Sequence, residues 1–253
     1  MAASAPGRYR PLRQTKGVAD YFSVLIFALA AAHAGFGAEP GGPLKPVRIV
    51  LAGDSTVTDE SGWAPGFRAS FGPEVECVNL ARSGRSSKSY RDEGHWKRVL
   101  AAKPDYLLIQ FGHNDQPGKG PARETDPATT YRENMTRFVE EARAAGAQPV
   151  LVTSIVRRNF DAQEKIKLDL LAPYVEEVRK LAAELRIPLI DLYALTKDQA
   201  ERLGPAGSAE LGVRTPDGKL DTTHLGPKGQ QEIGRMAADQ LVRVLPALSA
   251  YRR

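Results

Sequence analysis

Apolar and polar residues alternate along the chain in a regular way from residue 47 onward: a short apolar run, then a longer stretch with helical spacing, then another run. The strand candidates are residues 47–52 (VRIVLA), 75–80 (VECVNL), 106–111 (YLLIQF), 149–154 (PVLVTS) and 188–192 (PLIDL). VRIVLA, YLLIQF and PVLVTS are apolar at both odd and even positions, as strands covered on both faces should be. Between them, Met135, Phe138, Val139 and Ala142 form one stripe at helical spacing, with Gly146 as a stop signal. Leu171, Val175, Val178, Leu181 and Leu185 form a second stripe, and Ile233, Met236, Ala237, Leu241 and Val244 a third. Each stripe reads as core packing.

Strand and helix in alternation imply a parallel sheet with helices on both faces. The expected fold class is α/β: three layers, α/β/α, around a five-stranded, mainly parallel, flavodoxin-like sheet. Ligands of such sheets bind at the carboxyl ends of the strands, where the strand order reverses. The polar residues directly after each strand are therefore the ones that matter.

Three strand ends are unusual. The first run is followed by Gly53-Asp54-Ser55, the second by NLARSGRSSKSY with Asn79, Gly84 and Ser86, and the third by Gly112-His113-Asn114-Asp115. A fourth element, Asp221-Thr-Thr-His224, comes just before the last helix, which Gly226-Pro227 should open. Acyl transfer needs a nucleophile, a base, a group that orients the base, and donors for the oxyanion. Ser55 can supply the hydroxyl and His224 the base, since an unperturbed imidazole with a pKa of about 6.5 is largely neutral at pH 7. Asp221, three residues earlier, reaches the imidazole if the segment makes one turn. The Asn114 amide and the backbone N–H groups of Ser55 and Gly84 can serve as oxyanion donors, glycine allowing close approach.

In sequence and order these four blocks resemble the signatures of the SGNH (GDSL-type) esterases, over about residues 47–245. The resemblance implies a nucleophilic Ser55, oxyanion donors from Gly84 and Asn114, and Asp221 and His224 as the remaining catalytic pair. Within that superfamily, NLARSGRSSKSYRDEGHW and YLLIQFGHND are most similar to the rhamnogalacturonan acetylesterase branch. The features shared with that branch are the Gly-Arg-Ser-Ser run, the His between Gly112 and Asn114, and Thr56 after Ser55.

Composition refines this picture. The chain has 253 residues and a formal net charge of +5, of which residues 1–38 carry +3 (Arg8, Arg10, Arg13 and Lys16 against Asp20), leaving +2 for the rest. No basic arm or helix remains, which argues against nucleic acid as a partner. Residues 1–38 read as a secretion signal: a basic start, the apolar run VLIFALAAA, then small residues with Ala32-His33-Ala34 as a cleavage site. The expected location is secreted or periplasmic, cleaved near residues 34–38, with an uncleaved anchor as the alternative; after removal no membrane contact is expected. Residues 39–46 form a Pro/Gly-rich linker and 47–253 the hydrolase domain. Cys77 is the single cysteine and reads as a small buried hydrophobe. No cofactor is required, and no His/Cys spacing suggests a metal.

Export and the branch resemblance together imply a carbohydrate esterase that removes acetyl groups from a plant cell-wall polysaccharide such as pectin. The edge loops carry Arg85, Lys88, Arg91, Lys119, Arg123, Arg157 and Arg158, cations suited to galacturonate carboxylates. Arg157 and Arg158, directly after the fourth strand, are the leading substrate-binding candidates, with His113 as a loop support or substrate contact. Residues 117–128 and 204–220 are expected to wall the substrate. Asp54 and Asp115 are expected to brace their loops. The competing readings are a lipid esterase or thioesterase, an acetylxylan esterase, and a non-catalytic carbohydrate-binding protein.

Overall fold

The apolar runs pair side by side into one sheet. In the structure, a computed structural model that describes Met1 and residues 43–253, the strands are β1 (Val47–Gly53), β2 (Val75–Asn79), β3 (Tyr106–Gln110), β4 (Gln148–Val152) and β5 (Leu189–Ile190). They lie in the order β2-β1-β3-β4-β5, every pair parallel. The segment expected to be a secretion signal (beyond Met1) and most of the expected linker lie outside the described residues. Among the described residues no helix is long and apolar enough to cross a membrane.

The apolar character at both parities has a direct structural cause. Ile49, Leu51, Leu108, Val150, Val152 and Ile190 face one layer, where they pack with Trp63, Phe67, Ile233, Ala237 and Leu241. Val50, Ala52, Leu107, Ile109 and Leu151 face the other and meet Trp96, Val99, Met135, Phe138, Val139, Val178 and Leu181. Alternate residues of a strand point to opposite faces, so two covered faces need two apolar parities. The first layer is built by α1 (Ala64–Ala69) and α7 (Pro227–Val244), the second by α3 (His95–Ala101), α4 (Arg132–Ala144) and α5 (Ala172–Glu184). A short α2 (Ser87–Asp92) precedes α3, and α6 (Leu192–Ala209) follows β5.

The three helical stripes fall where their spacing places them, although Leu185, Met236 and Val244 are only partly buried. β5 is shorter than expected because Asp191 leaves the ladder and caps α6, accepting from Ala194 N at 3.2 Å. Residues 204–220 are largely ordered secondary structure. Gly204 kinks α6, the helix resumes through Ala209, and an antiparallel hairpin follows, made of β6 (Gly212–Arg214) and β7 (Leu220–Leu225).

This strand order has its switch point between β1 and β3, whose connections leave in opposite directions. Ser55 follows β1 and Asn114 follows β3, so the unusual motifs flank that crevice.

Candidate active site

The turn after β1 is held from beneath by buried polar bonds. Asp54 Oδ1 accepts from Thr56 N (2.9 Å) and Thr56 Oγ1 (2.7 Å). The Thr56 hydroxyl in turn accepts from Gln110 Nε2 (2.6 Å), and Gln110 Oε1 accepts from Trp63 Nε1 (2.9 Å). These four side chains are fully or almost fully buried, so every bond in the chain is sheltered from competing water. The Ser55 carbonyl accepts from the hydroxyls of Thr58 (2.9 Å) and Ser61 (3.0 Å). The backbone of Ser55 is thus fixed while its side chain faces the edge of the sheet.

His224 meets that side chain. Its Nε2 lies 2.8 Å from Ser55 Oγ, and its Nδ1 lies 2.8 Å from Asp221 Oδ2. Asp221 Oδ1 also accepts from Thr223 N (2.8 Å) and His224 N (2.9 Å). Burial alone would raise the Asp221 pKa, but the bonds from His224 and Thr223 outweigh it and hold the carboxyl below its ordinary value. An ionised Asp221 can only accept, which puts the proton of neutral His224 on Nδ1 and leaves Nε2 as a base toward Ser55.

The local structure that delivers this pair differs from the single turn expected. Asp221 and His224 lie on β7, whose register against β6 slips: Leu225 pairs with Gly212, yet Asp221 pairs with Val213. Residues 222–224 therefore bulge from the hairpin, and the bulge aims His224 at Ser55.

The oxyanion candidates line the same edge. Arg82 N donates to Gly53 O (2.9 Å), which fastens the turn after β2 to the end of β1. Within that turn Gly84 has φ +77°, a conformation that favours glycine. Among the described residues neither Gly84 N nor Ser55 N donates to a protein acceptor. Asn114 Nδ2 donates one N–H to Arg85 O (3.2 Å), which orients the amide and leaves its second N–H free.

Asp54 and Asp115 brace their loops as expected. Asp115 accepts from Ser87 N (3.0 Å), Ser87 Oγ (2.5 Å) and Thr125 Oγ1 (3.1 Å), which joins the loops after β2 and β3. Burial pushes its pKa up to about 7 against those bonds.

The substrate-binding candidates need correction. His113 is 3% exposed, with Nε2 bonded to Ile155 O at 3.1 Å, and burial together with the Arg157 charge pushes its pKa well down. It is a neutral loop brace, too enclosed to touch a polysaccharide. Arg157 is tied to Asp169 (2.7 Å). Arg158 turns inward, and its Nη groups donate to the backbone carbonyls of Asp221, Thr223 and His224 while its Nε stays buried without a partner among the described residues. Of the other edge cations, Arg85 pairs with Glu93, Lys88 with Asp92 and Arg91 with Glu141. Lys119 and Arg123 have no carboxylate within ion-pair distance among the described residues. The Trp63–Gln110–Thr56 relay and the inward Arg158 carry no local signal in the sequence, because their partners lie far along the chain.

Among the described residues no cluster of three or more His, Cys, Asp or Glu is placed to hold a metal. A serine hydroxyl on an imidazole, an imidazole on a carboxylate, and free N–H groups nearby are the parts of an ester hydrolase. Residues 34–232 match the model of the GDSL-like lipase/acylhydrolase family. Rhamnogalacturonan acetylesterase RhgT of Bacillus subtilis strain 168 is 39% identical over 212 residues, covering 77% of this chain and 89% of that one. The probable rhamnogalacturonan acetylesterase YesY of the same organism is 33% identical over 204 residues, covering 75% and 90%. The crystal structure of Bacillus subtilis YxiM superposes with a TM-score of 0.68 at 25% identity, over 79% of this chain and 57% of that one. The chain belongs to the GDSL-like lipase/acylhydrolase family and is an esterase, as the motif resemblance implies.

Proposed function

We propose that the chain is an exported carbohydrate acetylesterase that removes O-acetyl groups from an acidic, pectin-like polysaccharide through an acyl-enzyme on Ser55. The carrying observation is the continuous relay from Ser55 Oγ through the His224 imidazole to Asp221 Oδ2, both hydrogen bonds at 2.8 Å. His224 Nε2 takes the Ser55 proton as Oγ bonds to the acetyl carbonyl carbon. The oxyanion is held by the N–H groups of Ser55 and Gly84 and the free N–H of Asn114. Collapse breaks the ester C–O bond, and His224 returns the proton to the departing sugar oxygen. Water then repeats the sequence on the acetyl-serine, releasing acetate.

The polysaccharide assignment is supported by the relatives named as rhamnogalacturonan acetylesterases. Lys119 and Arg123 supply cations for uronate carboxylates; the intervening chain keeps them together, with Arg123 Nε donating to Lys119 O at 2.8 Å. Residues 1–38 act as the export signal, 39–46 as the linker and 47–253 as the hydrolase domain. The test is acetate release from acetylated pectin, acetylated xylan and a long-chain nitrophenyl ester, by wild type and Ser55→Ala. Preferential release from pectin that vanishes in the variant is expected. Hydrolysis of the long-chain ester alone would overturn the substrate, and full activity in Ser55→Ala would overturn the nucleophile.

A further inference from the structure

Arg158 is 5% exposed and has no carboxylate within ion-pair distance among the described residues. A buried cation without an ionised partner is costly, so its surroundings should show what compensates it. What surrounds it is the catalytic bulge. Arg158 N donates to Thr222 O (2.8 Å), Nη2 donates to both Asp221 O (2.9 Å) and His224 O (2.7 Å), and Nη1 reaches Thr223 O at 3.5 Å. A tight turn places it there, with Asn159 N donating to Arg157 O at 2.8 Å. The register slip in the β6–β7 hairpin leaves residues 222–224 without partners on β6. One side chain and its own N–H thus replace the missing strand. Gly212 makes room for it: a Cβ there would stand 2.5 Å from Arg158 Nη2 and 2.8 Å from Asp221 O.

The two faces of the bulge are held by different groups. Asp221 Oδ1 gathers the N–H groups of Thr223 and His224, whereas Arg158 gathers the carbonyls. Only a planar fork with several fixed donors fits such a set; a lysine ammonium on a flexible stem does not hold the same directions.

We infer that Arg158 is the positioning residue of the catalytic segment, clamping the carbonyls of residues 221–224 so that the Asp221 carboxylate and the His224 imidazole stay in register with Ser55. This inference rests on the Ser55–His224–Asp221 reading above. It assigns Arg158 no contact with substrate.

The test uses Arg158→Lys and Arg158→Ala in the full chain, assayed on a small acetyl ester whose binding involves little polysaccharide contact. Because a misplacement of about 1 Å can cost about 100-fold in rate, kcat should fall by about that factor in both variants while KM stays near wild type. Millimolar guanidinium should restore part of the kcat of Arg158→Ala and none to wild type, the opposite of its effect on a merely destabilised fold. The imidazole Nδ1 proton resonance, a direct report of the Asp221–His224 bond, should weaken in the variants. Gly212→Ala, which displaces the fork without removing it, should lower kcat in the same way if Arg158→Ala does not fold. Wild-type kcat in Arg158→Lys or in Gly212→Ala would overturn the inference, as would loss of kcat with no rescue and an unchanged imidazole resonance. A wild-type protein inert on esters would instead overturn the underlying catalytic reading, so the two failures are distinguishable.

Discussion

Replacing Asp221 by Asn tests the candidate site through a hydrogen-bond choice that the geometry forces. Asp221 accepts two backbone N–H groups on Oδ1 and the imidazole on Oδ2. An asparagine has one acceptor and one donor end and cannot do both. With its oxygen kept on Thr223 N and His224 N, its NH2 group faces His224 Nδ1, which must then accept. The ring proton moves to Nε2, where it points at Ser55, and the base is lost. The reverse orientation preserves the imidazole bond but sets two N–H donors against an NH2 group. Each bond is worth about 1 kcal/mol net, and a buried donor left unpaired costs about 1–3 kcal/mol more. The inactive orientation is therefore favoured by at least about 2 kcal/mol, a population ratio well above tenfold. For a triad locked in the wrong tautomer, kcat should fall by about four orders of magnitude with KM little changed. The assay is initial-rate acetate release from a small acetyl ester at neutral pH, with thermal melting to verify the fold. Asp221→Asn that keeps more than about a tenth of wild-type kcat would refute the tautomer argument.

Three further outcomes follow from other parts of the structure. Lys119→Ala with Arg123→Ala should raise KM on acetylated, acidic pectin by about tenfold or more, the worth of a charge-assisted bond, and leave acetylated xylan unchanged; equal effects on both polymers would remove the uronate assignment. Asp115, raised by burial to about pH 7, contributes stability in its protonated form that is lost as pH rises through that value. The destabilisation caused by Asp115→Asn should accordingly shrink by roughly 3 kcal/mol between pH 4.5 and 8 in urea unfolding, and a constant difference would contradict the buried titration. Gly234→Ala should cost about 1–3 kcal/mol, because its Cβ would come within 2.4 Å of the Trp63 carbonyl where α7 crosses α1; an unchanged melting temperature would mean that the helices part easily.

The sheet was legible because its cause is local. A strand buried on both faces is mostly apolar at both odd and even positions, and VRIVLA, YLLIQF and PVLVTS show that pattern without reference to any partner. The β6–β7 hairpin was not legible: β6 has only three residues, two of them exposed, so no burial pattern marks it. Asp221 and His224 were found by their spacing, yet the spacing fits a turn as well as a bulge. Which one forms is decided by pairing with residues 212–214, which a local pattern does not record.

Charge was the least legible feature, and the cations at the edge show why. A cation in a sequence is a donor without a stated acceptor, and its acceptor is set by the fold. Arg91 finds Glu141 fifty residues away, and Arg85 finds Glu93 only because both flank α2. Arg157 and Arg158 make the point within one dipeptide. The tight turn that joins them sends the first to Asp169 at 2.7 Å and the second beneath the β7 bulge, 2.7 Å from His224 O. The first is held by an ion pair at the site's edge, and the second is buried away from any ligand. Arg158 orders the backbone of residues 221–224 instead, so its place after a strand does not mark a ligand contact, and of the other edge cations named above only Lys119 and Arg123 lack an ion pair among the described residues.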